Sequence, residues 1–369
     1  MRIVLDLRCL DTASANRGIG RYARELAMSC LAQAPPEWEF FGLSWSRAGS
    51  RLGLLDIRCP SPRRGIGWTD RWVLPSVLRR HGADLYHSTA YALPVAGAHG
   101  VALVLTVHDL AADLHPRTLS LRHRLAFRRT YRSARAAHRV ITVSEATRRA
   151  LIDRYPVNEE RIVAVPNGVA RAFTSGDRPR ISSGFPLPFL LYVGGLDPLK
   201  NVPFLIRVLR RLHQDVPDLH LVVVGEEGPR KGDLERIAAG EGVSSRVEAV
   251  GFVEDERLAA AYGEASAFVF PSRYEGFGLP PLEAMAAGCP VVSSPAGALA
   301  EVLGDGAILR EPDDPEGWAQ AILPLLRVPA ERSERVRAGF RRAARFTWES
   351  TARRTLAVYE GAVLEATRT

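Results

Sequence analysis

The chain has 369 residues, long for one domain and comfortable for two, and its composition, 46% hydrophobic and 24% charged, is that of an ordinary globular protein. No apolar run approaches the roughly 20 residues that a membrane-spanning helix needs, and the first residues lack the apolar core of a signal peptide, so we expect a cytoplasmic protein. The four cysteines show no paired spacing, which argues against a zinc site or a disulfide framework.

Positive charge is concentrated in the first half of the chain. Residues 1–169 contain 25 arginines and 14 acidic residues, a net charge of +11, and the other 24 basic and 27 acidic residues lower the total to +8. Every basic residue is arginine except Lys200 and Lys231. This charge favours an anionic lipid surface or a diphosphate-linked acceptor as partner, whereas no nucleic-acid recognition module is found.

The first half alternates predicted strands and helices, which indicates the start of a doubly wound α/β sheet. Apolar runs predict strands at 2–7, 39–44, 84–88, 101–109, 140–144 and 161–169. His87 and His108 each stand where a predicted strand ends, a position that faces a cleft more often than a core. We expect a functional role for His108, and for His87 function and packing are equally good interpretations.

Two arginine-rich stretches, residues 60–80 and 116–139, accompany this pattern. The first leads into a helix whose Trp68 and Trp72 are expected to dock a membrane or an acceptor. The second is predicted to be a helix whose arginines are mostly solvated. Its apolar positions Leu121, Leu125, Tyr131 and Ala134 predict one buried face.

A linker rich in glycine, proline and serine separates the two halves. After it, strands are predicted at 189–194, 219–225, 246–250, 267–270 and 290–294, and two such sheets in tandem imply a cleft between them. The predicted organisation is a first domain at 1–172, a linker at 173–187 and a second domain at 188–345. A final helix at 346–369 is expected to cross back to the first domain.

The stretch from Ser272 to Glu283 contains the strongest functional signal. Glu275 follows a buried strand, Gly278 allows the backbone to approach a ligand, and Pro280 opens a helix that places Glu283 in its first turn. The stretch thus combines two carboxylates with the positive end of a helix dipole, at the carboxyl end of a strand. A helix N-terminus in this position predicts an anion-binding site. A solvated Glu275 and a Glu283 that only stabilises the helix are the alternative interpretations.

Lys200 follows the first strand of the second domain, so we expect it at the same sheet edge, where it would bind a diphosphate as a point charge. An ordinary surface lysine is the alternative. Gly225 and the segment Gly251–Val253 follow two further strands on this edge and are expected to contact a nucleotide base through backbone groups.

Together, these motifs resemble the retaining glycosyltransferases of family 4, and within them the bacterial mannosyltransferase-like members. The resemblance covers nearly the whole chain and includes two glutamates, Glu275 and Glu283, separated by seven residues. The other matching motifs are Arg17–Tyr22, His87–Ser88, Thr106–Asp109, Val143–Glu145, Val165–Val169, Tyr192–Gly194, Lys200–Asn201 and Gly251–Val253. The implied fold is GT-B, in which two Rossmann-like domains face each other across a cleft.

The resemblance also implies residue roles. Glu275, His108 and Lys200 would be catalytic: Glu275 would hold a hydroxyl of the donor sugar, His108 would lie near its anomeric carbon, and Lys200 would balance the diphosphate. Glu283 would hold the ribose. The implied donor-binding residues are Gly20, Arg21, Gly194, Gly195, Lys200, Gly225, Phe252, Val253, Glu275, Gly276, Phe277, Gly278, Leu279 and Glu283. The implied acceptor-binding residues are Tyr22, Trp68, Trp72, His87 and Asp109.

One departure from the family concerns positive charge. Many relatives have arginine where this chain has Gly195 and Leu199, so cationic partners of the leaving diphosphate are missing here. Lys200, the helix dipole before Glu283 or Arg21 would have to compensate.

The implied reaction is transfer of a hexose with retention, without a metal or other cofactor. Mannose from GDP-mannose is the expected donor, and the acceptor is expected to be a saccharide or lipid-linked glycan of cell-surface polysaccharide or glycolipid synthesis, at the inner face of the plasma membrane. Other UDP-, GDP- or dTDP-linked sugars such as glucose or rhamnose, and a sugar-nucleotide epimerase, are alternatives. A nicotinamide dehydrogenase is disfavoured because Gly18–Ala23 lacks the Gly-x-Gly-x-x-Gly turn.

Overall fold

The computed structural model describes residues 1–60, 66–94, 98–118, 121–174, 181–225 and 231–367. Parts of the predicted linker, at 175–180, and of the first arginine-rich stretch, at 61–65, lie outside the described residues. The chain forms two compact units. Unit 1 consists of Met1–Gly168 and the segment that begins at Thr347, and unit 2 is Val169–Phe346. Both units are α/β, as the sequence predicts.

Unit 1 is built on a parallel sheet that, within the described residues, has seven strands in the order β3-β2-β1-β4-β5-β6-β7. Central strands such as β5 are buried along their whole length, which is why they appear in the sequence as continuous apolar runs. The strands are β1 (Arg2–Asp6), β2 (Glu39–Ser44), β3 (Leu55–Arg58), β4 (Leu85–Ser88), β5 (Ala102–Val107), β6 (Arg139–Thr142) and β7 (Ile162–Ala164). The helices are α1 (Gly18–Gln33), α2 (Ile66–Trp72), α3 (Leu74–Arg80), α4 (Ala111–Leu114), α5 (Leu121–Ser133), α6 (Glu145–Arg154) and α14 (Trp348–Ala366).

The last helix, α14, is part of unit 1 although unit 2 precedes it in the chain. Its residues Ala352, Tyr359 and Ala362 are completely buried. Gly168 lies so close to the start of α14 that a Cβ atom there would be 2.2 Å from the backbone nitrogen of Trp348. A larger residue at position 168 would therefore separate the two segments.

A buried charged cluster lies at the carboxyl end of β1. The Arg8 guanidinium donates to Asp6 at 2.6 Å and to Asp70 at 2.8 Å, and all three side chains are inaccessible to solvent or nearly so. The Tyr86 hydroxyl donates to Asp6 at 2.7 Å. Burial raises the pKa of the Asp70 carboxyl, and the nearby Arg8 opposes this rise. Because Asp70 belongs to α2, the cluster fastens that helix to the sheet.

Unit 2 repeats the architecture with a parallel sheet that, within the described residues, has six strands in the order β10-β9-β8-β11-β12-β13. The strands are β8 (Phe189–Val193), β9 (His220–Val224), β10 (Val247–Ala249), β11 (Ala267–Phe270), β12 (Val291–Ser293) and β13 (Ala307–Leu309). The helices are α7 (Val202–His213), α8 (Lys231–Gly240), α9 (Asp255–Glu264), α10 (Leu279–Ala286), α11 (Leu299–Leu303), α12 (Pro315–Arg327) and α13 (Pro329–Ala343). Because every strand pair is parallel, the loops that follow β8, β9, β10 and β11 emerge at one edge.

The buried face predicted for the second arginine-rich stretch is wrong in its first half. Leu121 and Leu125 are 67% and 59% exposed, whereas Tyr131 and Ala134 are buried. The contact of α5 with the core begins at the partly buried Phe127, so the apolar residues of its first turns lie in solvent. The single helix predicted at the end of the first arginine-rich stretch is divided into α2 and α3. Pro75 lies in the first turn of α3.

Candidate functional site

The loop that bears Glu275 is fastened to the neighbouring loop after β12. The backbone oxygen of Glu275 accepts a hydrogen bond from the Ala298 nitrogen at 2.9 Å. Gly297 has a φ of +64°, and a Cβ atom there would lie 2.3 Å from the same oxygen, so this close approach requires glycine. The Ser294 hydroxyl donates to the backbone oxygen of Ser272. The position of Glu275 is thus set by contacts on both sides.

Helix α10 begins at Leu279, one residue before its proline pair. Gly278 has a φ of +99° and lies immediately before the first helical residue, Leu279. Glu283 therefore falls in the second turn of α10, and its predicted place in the first turn is wrong. Pro280 and Pro281 lie near the start of the helix, where a missing N–H costs no hydrogen bond. The positive end of the α10 dipole lies directly after the Glu275 loop.

The structure brings Lys200 and Glu275 together, which confirms the predicted placement of the lysine at this edge. The Lys200 Nζ donates to Glu275 Oε1 at 2.7 Å, and the two side chains are 25% and 12% exposed. The Asp197 carboxylate caps the turn before Lys200 by accepting from the Leu199 nitrogen at 3.2 Å. A cation and a carboxylate thus lie side by side near a helix N-terminus. Such a set can bind a diphosphate and a hydroxyl group at the same time.

Glu283 is a buried carboxylate, only 3% exposed. The Tyr262 hydroxyl donates to its Oε2 at 3.3 Å. Phe277 is also buried, in edge-to-face contact with Phe346. Because its side chain is buried, Phe277 can contact a donor only through its backbone.

A pocket opens on the other side of β8, at the carboxyl ends of β8, β9 and β10. Gly194, Gly225 and Gly251 line it together with Leu196, Val223 and Lys231. All three glycines were expected near the nucleotide from the sequence. Phe252 and Val253 follow the third, and their side chains are exposed and buried respectively. Gly195 accepts a hydrogen bond from Tyr192 through its carbonyl at 2.7 Å.

Lys231 is the one charged residue that lines the pocket, and it is absent from the site residues predicted from the sequence. It is the first residue of α8 and one of only two lysines in the chain. A lysine in an otherwise arginine-based protein is the signal that could have found it. Lys200 lies beside the Glu275 loop, and Lys231 lies at the pocket on the other side of β8.

In unit 1, His108 comes directly after β5 and is partly exposed. Its Nε2 donates to the backbone oxygen of Thr89 at 2.7 Å, so Nδ1 is the nitrogen that can accept a hydrogen bond. Burial lowers the pKa of His108 to about 4. The side chain is therefore a neutral hydrogen-bonding group at neutral pH, and its role toward a donor sugar stays a prediction.

The structure places the side chains of His87 and Tyr22 in the interior of unit 1, which favours packing over the acceptor-binding role that the resemblance implies. His87 is completely buried, and its nitrogens bond to the Tyr359 hydroxyl at 2.7 Å and the Thr106 hydroxyl at 2.8 Å. Burial lowers its pKa to about 3. Tyr22 is 1% exposed and bonds to the same Thr106 at 2.9 Å. These side chains form a polar network inside unit 1.

The other predicted residues of unit 1 lie near the strand ends or on the surface. Gly20 is buried where α1 meets the preceding turn, and a Cβ atom there would lie 2.4 Å from the Ala15 oxygen, so packing alone requires glycine. Arg21 is partly buried in the first turn of α1. Asp109 accepts from the Ala111 nitrogen at 2.8 Å and so caps α4. Trp68 and Trp72 are 42% and 61% exposed on α2.

Comparisons with known proteins agree with this architecture. Family models described as "Glycosyltransferase Family 4" and "Glycosyl transferases group 1" match residues 17–173 and 188–327. The MMP alpha-(1->4)-mannosyltransferase of Mycolicibacterium hassiacum is 35% identical over 237 residues, which are 63% of this chain and 56% of that protein. This chain thus spans little more than half the length of that relative.

Two further relatives are covered over most of their length. O-antigen chain mannosyltransferase B of Escherichia coli is 30% identical over 299 residues, 77% of this chain and 76% of that protein. A glycogen synthase of Mycobacterium tuberculosis is 31% identical over 337 residues, 89% and 78% of the respective chains. Sucrose-phosphate synthase of Thermosynechococcus elongatus has a similar fold, with a TM-score of 0.77 over 98% of each chain and 23% identity.

The family models match both units, and the longer matches extend through most of the relatives' sequences. Two parallel Rossmann-like sheets, each with its helices, are the architecture of the structural neighbour as well. The chain belongs to glycosyltransferase family 4 and has the GT-B fold.

Proposed function

We propose that this glycosyltransferase transfers mannose from GDP-mannose to a saccharide or lipid-linked glycan in the synthesis of cell-surface polysaccharide or glycolipid. The observation that supports it most is the pair of Lys200 and Glu275 beside the N-terminus of α10, with Glu283 one helical turn further on. Two of the relatives are named as mannosyltransferases, which favours this sugar.

In the proposed reaction, the bond between the anomeric carbon and the diphosphate oxygen breaks and a bond to the acceptor oxygen forms on the same face. The departing phosphate oxygen takes the acceptor proton, so no separate general base is needed. Lys200 and the start of α10 stabilise the negative charge that grows on the diphosphate, and Glu275 accepts a hydrogen bond from a sugar hydroxyl. We propose that no metal ion takes part, because these groups supply the positive charge.

The experiment that tests this function combines binding with turnover. Thermal shift is measured with GDP-mannose, UDP-glucose and dTDP-rhamnose, and nucleotide release is then followed with and without saccharide and lipid-linked acceptors. We expect stabilisation by GDP-mannose, acceptor-dependent release of GDP and a product of retained configuration by NMR. The relation to a glycogen synthase makes a glucose donor the second candidate. Conversion of the donor to an epimer without an acceptor would contradict a transferase.

We also propose that the enzyme works at an anionic membrane surface. None of the described helices has the length and apolarity needed to cross a membrane. Helices α2 and α5 nevertheless expose Trp68, Trp72, Leu121 and Leu125. The Arg129 guanidinium of α5 donates to the Gly67 oxygen of α2 at 2.9 Å, so the two helices are neighbours. Exposed indole and leucine side chains among arginines match the interface of an anionic bilayer.

Vesicle flotation tests this association. We expect the chain to float with vesicles that contain phosphatidylglycerol, but not with phosphatidylcholine alone, and to dissociate as salt rises because the attraction is partly electrostatic. Replacing Trp72 and Leu121 by serine should lower the bound fraction several-fold. Leu364→Ser is the matched control, since this α14 leucine is also 61% exposed in unit 1. An equal loss of vesicle binding in the Trp72 and Leu121 variant and in Leu364→Ser would refute the proposed membrane-binding surface.

A further inference from the structure

The pocket beside β8 has a floor of backbone rather than side chains. Gly225 has a φ of +156°, and a Cβ atom there would lie 1.9 Å from the carbonyl oxygen of Gly194. The Gly225 nitrogen donates to the Gly251 oxygen at 2.9 Å, and the Gly194 nitrogen donates to the Val224 oxygen at 2.9 Å. The three strand ends thus lie tightly together, and a residue larger than glycine would not fit at position 225. A flat ligand can approach this floor closely.

Strand order places this pocket next to the Lys200–Glu275 pair. The loop that follows β8 is shared, because Gly194 and Leu196 line the pocket and Lys200 lies four residues after Leu196. β9 lies on one side of β8 and β11 on the other, so their ends are roughly 10 Å apart at the usual strand spacing. A nucleotide whose diphosphate lies at Lys200 therefore reaches this pocket with its base.

The walls of the pocket suit an aromatic base with a polar edge. Leu196, Val223 and Ala249 are apolar lining residues, and Lys231 is the one charged residue among them. Lysine donates well to the O6 and N7 acceptors of guanine, whereas adenine has an amino group in place of O6.

We propose that Lys231 recognises the guanine base of the donor nucleotide by donating to its O6 and N7 edge. This inference rests on the proposed use of GDP-mannose. It also separates the tasks of the two lysines: Lys200 binds the diphosphate, which every nucleotide donor shares, and Lys231 distinguishes one base from another.

Isothermal titration calorimetry with GDP, UDP, ADP and inorganic pyrophosphate tests whether the two lysines have these separate tasks. In Lys231→Met, we expect GDP affinity to fall about 10- to 100-fold, with little change for UDP, ADP and pyrophosphate, so that the preference for guanine disappears. Lys231→Arg should retain much of the preference because it keeps a cationic donor. Lys200→Met is the matched control and should weaken all four ligands. The unfolding midpoint of each free variant shows that the fold is intact.

Other outcomes overturn the assignment. If Lys231→Met weakens GDP, UDP and pyrophosphate alike, Lys231 is a phosphate-binding cation. If it changes none of them, Lys231 makes no contact that contributes to nucleotide binding. A wild-type preference for UDP over GDP would refute the GDP-mannose proposal itself, whereas a wild-type preference for GDP that survives Lys231→Met would refute only the role of Lys231.

Discussion

Glu275→Gln is expected to lower kcat/KM for glycosyl transfer by about 100-fold, the effect typical of removing one preorganised polar contact to the transition state. The amide has nearly the same shape but lacks the charge that holds Lys200 at 2.7 Å and accepts a sugar hydroxyl. Lys200→Met should lower the rate by a similar factor, because growing charge on the diphosphate loses its cationic partner. Steady-state kinetics with saturating acceptor measure both.

A matched control separates loss of function from loss of an ion pair. Glu241 accepts from Arg210 at 2.6 Å and is 23% exposed, so Glu241→Gln removes a comparable pair elsewhere in unit 2. It should leave the transfer rate within about two-fold of the wild type, in keeping with the small energies of such pairs. In the double variant Lys200→Met/Glu275→Gln, losses should be less than additive, since the residues are in contact. Near-full activity of either single variant would refute the proposed site.

The second large effect concerns stability. Arg8→Met is expected to lower the free energy of unfolding by about 3–5 kcal/mol, because it leaves the carboxylates of Asp6 and Asp70 buried without their cation. Urea denaturation followed by tryptophan fluorescence measures the change. Adding Asp70→Asn to Arg8→Met should restore part of the loss, since one uncompensated charge is then removed.

Arg2→Met provides the control for this prediction. Arg2 begins the same strand and pairs with Glu39 at 2.8 Å, but both side chains are about half exposed. Solvated pairs of this kind contribute about 0–1 kcal/mol. Similar losses in Arg8→Met and Arg2→Met would show that the buried cluster contributes no more than a surface pair.

The alternation of the chain was enough to predict two doubly wound sheets, and the placement of Lys200 followed from the rule that parallel strands end at one edge. Two short strands, β3 and β13, were missed. Three or four residues give too short an apolar pattern, and their pairing with β2 and β12 depends on contacts distant in sequence.

The two histidines show where local patterns stop being informative. Both occur where an apolar run ends, yet His87 lies inside β4 and His108 one residue beyond β5. His87 is buried because Tyr359, 272 residues later, bonds to it. Lys231 was overlooked for a related reason: only the fold shows that the start of α8 meets the ends of β8 and β9.

The late position of α14 has a consequence for biosynthesis. Unit 2 is continuous in the chain, whereas unit 1 needs both its early segment and residues from 347 onward. On the ribosome, unit 2 can therefore finish folding while unit 1 still lacks the helix that buries Tyr359 and satisfies His87. The domain that is translated first is thus completed last, and until then its apolar sheet surface is open to chaperones or to misassembly.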